Sequence, residues 1–156
     1  MSLRRRCSCA LLALSLASMA ATPELFSGMT HTLIEIRSSQ GRQWFTVYLA
    51  RTEPQQEQGL MYVRQLPQDT GMLFPQETPR PMTMWMKNTL IPLDMLFIDA
   101  RGRIVCLREH AEPQSLALID CPQSVRAVLE INAGEAARRG IKLGDTADLS
   151  HASLQQ

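Results

Sequence analysis

Residues Met82 to Asp99 read MTMWMKNTLIPLDMLFID and hold the chain's densest set of side chains with chemical potential. Met82, Met84 and Met86 alternate, so on an extended strand they share one face. Thioethers are soft ligands suited to Cu(I), and Trp85 beside them would add cation–π character. Against copper stands the ordinary use of methionine as a flexible apolar filler, with Met61, Met72 and Met95 also pointing to a methionine-rich core. Trp85 falls on the face opposite the methionines, and His31, His110 and His151 are scattered. No metal and no cofactor are therefore expected, and Cu(I) binding by Met82, Met84 and Met86 is kept as a second alternative.

Catalytic motifs are missing from the sequence. There is no G-x-S-x-G elbow, no H-E-x-x-H and no Gly-rich phosphate loop. Cys106 and His110 are four residues apart on one strand, about 13 Å, which is too far for a thiolate–imidazole pair. The remaining polar candidates are Lys87, Asn88, Asp94, Asp99 and Glu130. Lys87 and Asp94 flank the Ile91-Pro92 break, where they would do acid–base work if burial shifted them, although such pairs more often anchor a turn. An enzyme built on Lys87 and Asp94 is the first alternative. The leading reading is a binding surface: Trp85, Lys87, Asn88 and Asp94, with an indole to stack on a ring or hold a segment of a partner. Its bland competitor is Trp85 packed under the helix that starts near Thr52.

These side chains need a scaffold. His31 to Arg37 alternates and Gln43 to Ala50 is rich in aromatic and β-branched residues, on either side of Ser38–Gly41, a hairpin pattern. Thr52 followed by Gln55, with Pro54 in the first turn, is a capping box opening a short helix that ends near Gly59. Leu60, Met61, Tyr62, Val63 and Leu66 then cap a core. Gly71–Phe74 is a short strand, 76–81 a loop, and the stretch from Met82 gives two strands broken at Ile91-Pro92. Val125–Ile131 and Thr146–Leu149 are further strands, with a short helix over 132–139 stopped by Gly140. The fold class is α+β: a mostly antiparallel, strongly bent β-sheet or partly closed β-barrel with two or three short helices.

The N-terminus belongs to a different kind of segment. Arg4-Arg5-Arg6, an apolar run from Cys7 to Ala17 and Ser18-Met19-Ala20 form the n-region, h-region and cleavage site of a signal peptide over 1–20. Residues 21–30 read as a tether, 31–150 as the domain and 151–156 as a frayed tail. Loss of Arg4, Arg5 and Arg6 leaves 13 basic against 15 acidic residues, a formal charge of −2. That balance supplies no footprint for nucleic acid and no polybasic membrane patch. The expected product is an exported monomer, periplasmic or secreted, with no membrane span after cleavage and an unknown small ligand or protein partner. Only Cys106 and Cys121 survive cleavage, into an oxidising compartment. A hairpin turning at Glu112-Pro113-Gln114-Ser115, read as type I, would set them opposite each other at about 4.5–5.5 Å between Cα atoms, a spacing a disulfide bridges.

Three segments together carry a family resemblance: QGLMYVRQLPQDTGMLF (58–74), MWMKNTLIPLDMLFID (84–99), and VLEINAG with GIKLGD (128–134, 140–145). The chain resembles the domain-of-unknown-function 192 family (DUF192) from about Val47 to Leu149. The resemblance implies a small β-rich domain, often exported. It brings no assigned substrate, cofactor or catalytic residue. The cysteine pair lies outside the matching pattern.

Overall fold

The computed structural model describes residues 26–152. The expected signal peptide, the tether up to residue 25 and the tail from residue 153 lie outside the described residues. Seven strands form one sheet: β1 (His31–Ser38), β2 (Gly41–Leu49), β3 (Thr70–Met84), β4 (Leu93–Ile98), β5 (Ile104–Ala111), β6 (Ile119–Asn132) and β7 (Thr146–Asp148). Helix α1 (Glu53–Gln58) lies between β2 and β3, and α2 (Glu135–Arg138) between β6 and β7. A single 3-10 turn, Ser150–Ala152, closes the described chain and buries Ala152.

The strand order is β5-β4-β6-β3-β2-β1-β7. The sheet is mixed, which corrects the mostly antiparallel expectation: β2 and β3 run parallel from Thr46↔Thr70 to Leu49↔Leu73. The cause is the connection. The chain leaves β2, passes through α1 and crosses over before β3, and such a crossover delivers the next strand in the same direction. Strong curling brings the two edges of the sheet together at one end. Ile104 N–H donates to the Asp145 carbonyl at 2.9 Å, and Ala147 N–H to the Gly102 carbonyl at 2.7 Å. Gly102 is required there: a Cβ would stand 2.4 Å from the Ala147 oxygen, and its φ is +79°.

Alternation divides the apolar side chains between two cores. Leu93, Met95 and Phe97 of β4 enter the first, with Met72, Phe74, Met86 and Val128. Leu96 and Ile98 enter the second, with Leu73, Leu129 and Ile131. All six residues of β4 are buried because both its faces are covered.

Two further expectations are corrected. Residues 76–81 are not a loop but the middle of the long β3. Its ladder with β6 is irregular between Pro75 and Met82, where Pro75, Pro79 and Pro81 have no N–H to donate. Nor do β5 and β6 form a hairpin. β5 pairs with β4, and the first half of β6 pairs with β3, Cys121 facing Met82. The turn at 112–115 exists, with Ser115 N–H donating to the Glu112 carbonyl at 3.3 Å. Gln114 however has φ +61°, which a type II turn requires and a type I turn does not. Gln114 N–H is drawn to the Thr89 carbonyl (3.0 Å), and the chain runs on to enter β6 beside β3. Cys106 and Cys121 are nevertheless bonded, with Cα atoms 5.9 Å apart, as a staple across strands that do not pair.

Candidate functional site

The site is built from three loop-like pieces around the first core. The first is α1 and the turn after it. Thr52 accepts from Gln55 N–H while the Gln55 side chain caps the Thr52 backbone, the full capping box the sequence signals. Gly59 ends the helix at φ +48°, with its α-carbon close against the Phe74 ring: a Cβ there would meet the ring at 3.2 Å. The chain then drops Leu60 into the core and leaves Met61 half-buried.

The second piece is the segment from Trp85 to Pro92. It is held on both sides. Tyr62 N–H donates to the Asn88 carbonyl at 2.9 Å, and Met86 N–H to the Ser115 carbonyl at 3.1 Å. Asn88 takes φ +55°, a left-handed conformation its short polar side chain tolerates. Its amide nitrogen lies 3.8 Å from the Met61 sulfur. Asn88 thus fixes the loop to the turn after α1. Trp85 is 44% exposed, so the helix does not cover it. The Lys87 ammonium stands 4.9 Å from the centre of the Trp85 ring.

The third piece is Glu130, near the C-terminal end of β6. It faces Met72 of β3 and Met95 of β4 and points toward the first core. Only 4% of it is exposed. Among the described residues no hydrogen bond or ion pair reaches its carboxyl. Burial alone pushes its pKa up to about 8, so it keeps its proton at neutral pH.

These pieces line a small cleft of about 30 Å³, open to solvent at its mouth. Gln56, Glu57 and Gln58 form one rim; Met84, Trp85, Lys87 and Thr89 form the opposite wall. Leu60, Met61 and Phe74 supply apolar lining, and Glu130 lies at the buried base.

Of the residues singled out from sequence, Trp85 and Lys87 line the cleft, and Asn88 positions its wall. Asp94 does not line it. It alternates with Leu93 and Met95, and its fully buried carboxylate is committed to the backbone: Oδ1 accepts from His110 N–H (2.9 Å) and Oδ2 from Ala136 N–H (3.0 Å). Asp99 likewise accepts from Arg101 and Arg103 N–H at the β4–β5 turn. Met86 is wholly buried in the first core, and Met82 and Met84 pack against it. Among the described residues no group of three or more His, Cys, Asp or Glu side chains could hold a metal ion. The sequence marks Glu130 as one polar candidate but does not place it in the binding surface, reads Met61 only as core, and gives no sign of Thr89 or the α1 rim. The available signal was the acid inside VLEI, a charge in the apolar run of a strand whose two faces are both buried.

The model of the DUF192 family, described as "Uncharacterized ACR", matches residues 34–149. The chain belongs to the DUF192 family. Two crystal structures share the fold of this DUF192 protein. One is a Sinorhizobium meliloti 1021 protein provisionally named a transcription regulator, with a TM-score of 0.74 and 45% identity over 77% of this chain and 94% of that one. The other is a protein of unknown function from Novosphingobium aromaticivorans DSM 12444, with a TM-score of 0.77 and 37% identity over 83% and 91% of the two chains. No curated protein matches the chain. The three segments that carry the family resemblance meet at the cleft: Gln58–Met61 and Phe74 from the first, Met84–Thr89 from the second, Glu130 from the third.

Proposed function

We propose that this DUF192 protein is an exported binding module whose ligand, a small organic molecule, enters the cleft between α1 and the Trp85–Thr89 wall. The observation that carries the reading is Glu130: a largely buried acid that has no hydrogen-bond partner among the described residues and opens onto a cleft. A buried polar group without a hydrogen bond is costly, and a ligand that satisfies it recovers that cost. The half-exposed indole of Trp85 adds an apolar wall with a π face. The backbone clamps on the 85–92 segment keep the wall formed before a ligand arrives, which favours affinity.

Export is supported by the basic, apolar and small-residue order of residues 4–20 and by the Cys106–Cys121 bond. Among the described residues no helix is long and apolar enough to cross a membrane. A DNA-binding role, as one relative's name would suggest, draws no support from a mature-chain charge of −2, because DNA contact rests on clustered cations.

Native mass spectrometry of the mature protein, incubated with a metabolite extract of its own cells, tests the reading. The wild type is expected to gain a reproducible small mass that Trp85→Ala retains far less. Equal retention by both proteins, or no added mass in either, would contradict it.

A further inference from the structure

The cleft also indicates what kind of molecule it takes, an inference that rests on the binding reading above. Its base is acidic, and its walls combine apolar, aromatic and thioether side chains with the polar Gln56, Glu57, Gln58, Lys87 and Thr89. The groups that face Glu130 are few. β3 presents Met72 and Phe74, β4 presents Met95, and none of these titrates. Among the described residues, the ionisable groups elsewhere in the lining are Glu57 on the α1 rim and Lys87 on the opposite wall. Glu57 and Lys87 are both exposed and of opposite sign, so their long-range fields offset each other and are screened by salt. Glu130, deep and alone, dominates the interior. The wall also contains an internal example of what it attracts: the Lys87 ammonium stands over the Trp85 ring rather than in an ion pair.

We propose that the cleft binds a small alkylammonium ligand, its carbon stem against Trp85, Met61 and Phe74 and its ammonium on the Glu130 carboxyl. The room at the base is small, about 30 Å³, enough for roughly two water-sized groups, so the ammonium occupies the base and the stem lies along the open mouth. Proton bookkeeping follows from the chemistry. The ligand enters as the ammonium ion, and the Glu130 proton leaves to the buffer. With an acid that titrates near 8, the apparent affinity increases about tenfold for each unit of rising pH up to that point and levels off above it. The ion pair gains Coulomb energy where water is restricted, set against the desolvation of both charges.

Backbone and indole NMR titration of the mature, disulfide-bonded protein with n-butylammonium at pH 6, 7 and 8.5 reads this directly, with butyrate and n-butanol as probes of the same length. Butylammonium is expected to shift the Trp85 indole and the Thr89 amide, with about tenfold tighter binding at pH 7 than at pH 6. Glu130→Gln, which keeps the shape of the side chain, is expected to abolish the pH response and weaken binding at least tenfold. Trp85→Ala, at an exposed position, keeps Glu130 and is expected to weaken binding several-fold while the pH response remains. Butylammonium affinity that is independent of pH, or unchanged in Glu130→Gln, would overturn the proposal. Cleft shifts with butyrate or n-butanol but not butylammonium would overturn the ligand class and leave the binding cleft standing. No cleft shifts with any probe would overturn both.

Discussion

Two buried acids on neighbouring strands, Asp94 and Glu130, have opposite roles because they have opposite partners. Asp94 receives two backbone N–H groups, one from His110 at the irregular end of β5 and one from the first turn of α2. Its carboxylate replaces hydrogen bonds that the left-handed His110 (φ +50°) and the helix start leave open. Glu130 has no such donor. The first is an architectural acid, and the second is available for a ligand. Asp94→Ala strands two buried N–H groups and is expected to cost about 2–4 kcal/mol in urea unfolding at neutral pH. It should leave the Trp85 and Thr89 resonances in place. A loss below about 1 kcal/mol, or a collapse of the cleft signals with stability retained, would contradict that division of roles.

At the scale of elements, local chemistry was legible and pairing was not. The α1 capping box follows from Thr52, Pro54 and Gln55 alone, because every bond in it lies within four residues. The β1–β2 hairpin follows from alternation around Ser38–Gly41. The pairing of β5 and β6 is decided elsewhere: β4, buried on both faces, takes β5 on one side and the second half of β6 on the other. No pattern within residues 103–121 reports that competition. The cysteines lay close for a different reason than hairpin register. The parallel β2–β3 pair was hidden in the same way, since the apolar run of β3 looks alike in either direction. For the site, Trp85 and Lys87 were visible as unusual neighbours. Glu130 reads as one acid among several until β3 and β4 are seen flanking it.

At the scale of the whole molecule, a mixed, curled sheet with two cores is fixed by a staple and tuned by one acid. The Cys106–Cys121 bond closes a loop of 15 residues between unpaired strands, and such a closure contributes on the order of 3 kcal/mol. A Cys106→Ala/Cys121→Ala double variant is expected to lower the unfolding free energy by about that amount. An unchanged denaturation midpoint would show that the bond is not a stabilising element. Glu130 adds a pH dependence of defined sign. Unfolded, it ionises near 4.5; folded, it holds its proton up to about 8. Between those values the folded state binds more protons, so stability falls as pH rises, by up to about 1.4 kcal/mol per pH unit, and flattens above about 8. Among the other shifted groups of the described residues, Arg37 and Arg138 are raised by hydrogen bonds to Glu35 and Glu135, Asp148 is lowered by hydrogen bonds from Ser150, and Arg139 is lowered by burial.

The central claim is that the base of the cleft is a buried, unpartnered, proton-bearing acid. The most direct measurement is the unfolding free energy of wild type and Glu130→Gln between pH 5 and 8.5. The wild type is predicted to lose stability relative to Glu130→Gln by several kcal/mol across that range, and the difference between the two proteins is predicted to level off above about pH 8. Parallel curves would mean that Glu130 ionises freely in the folded protein, and that result would contradict the account.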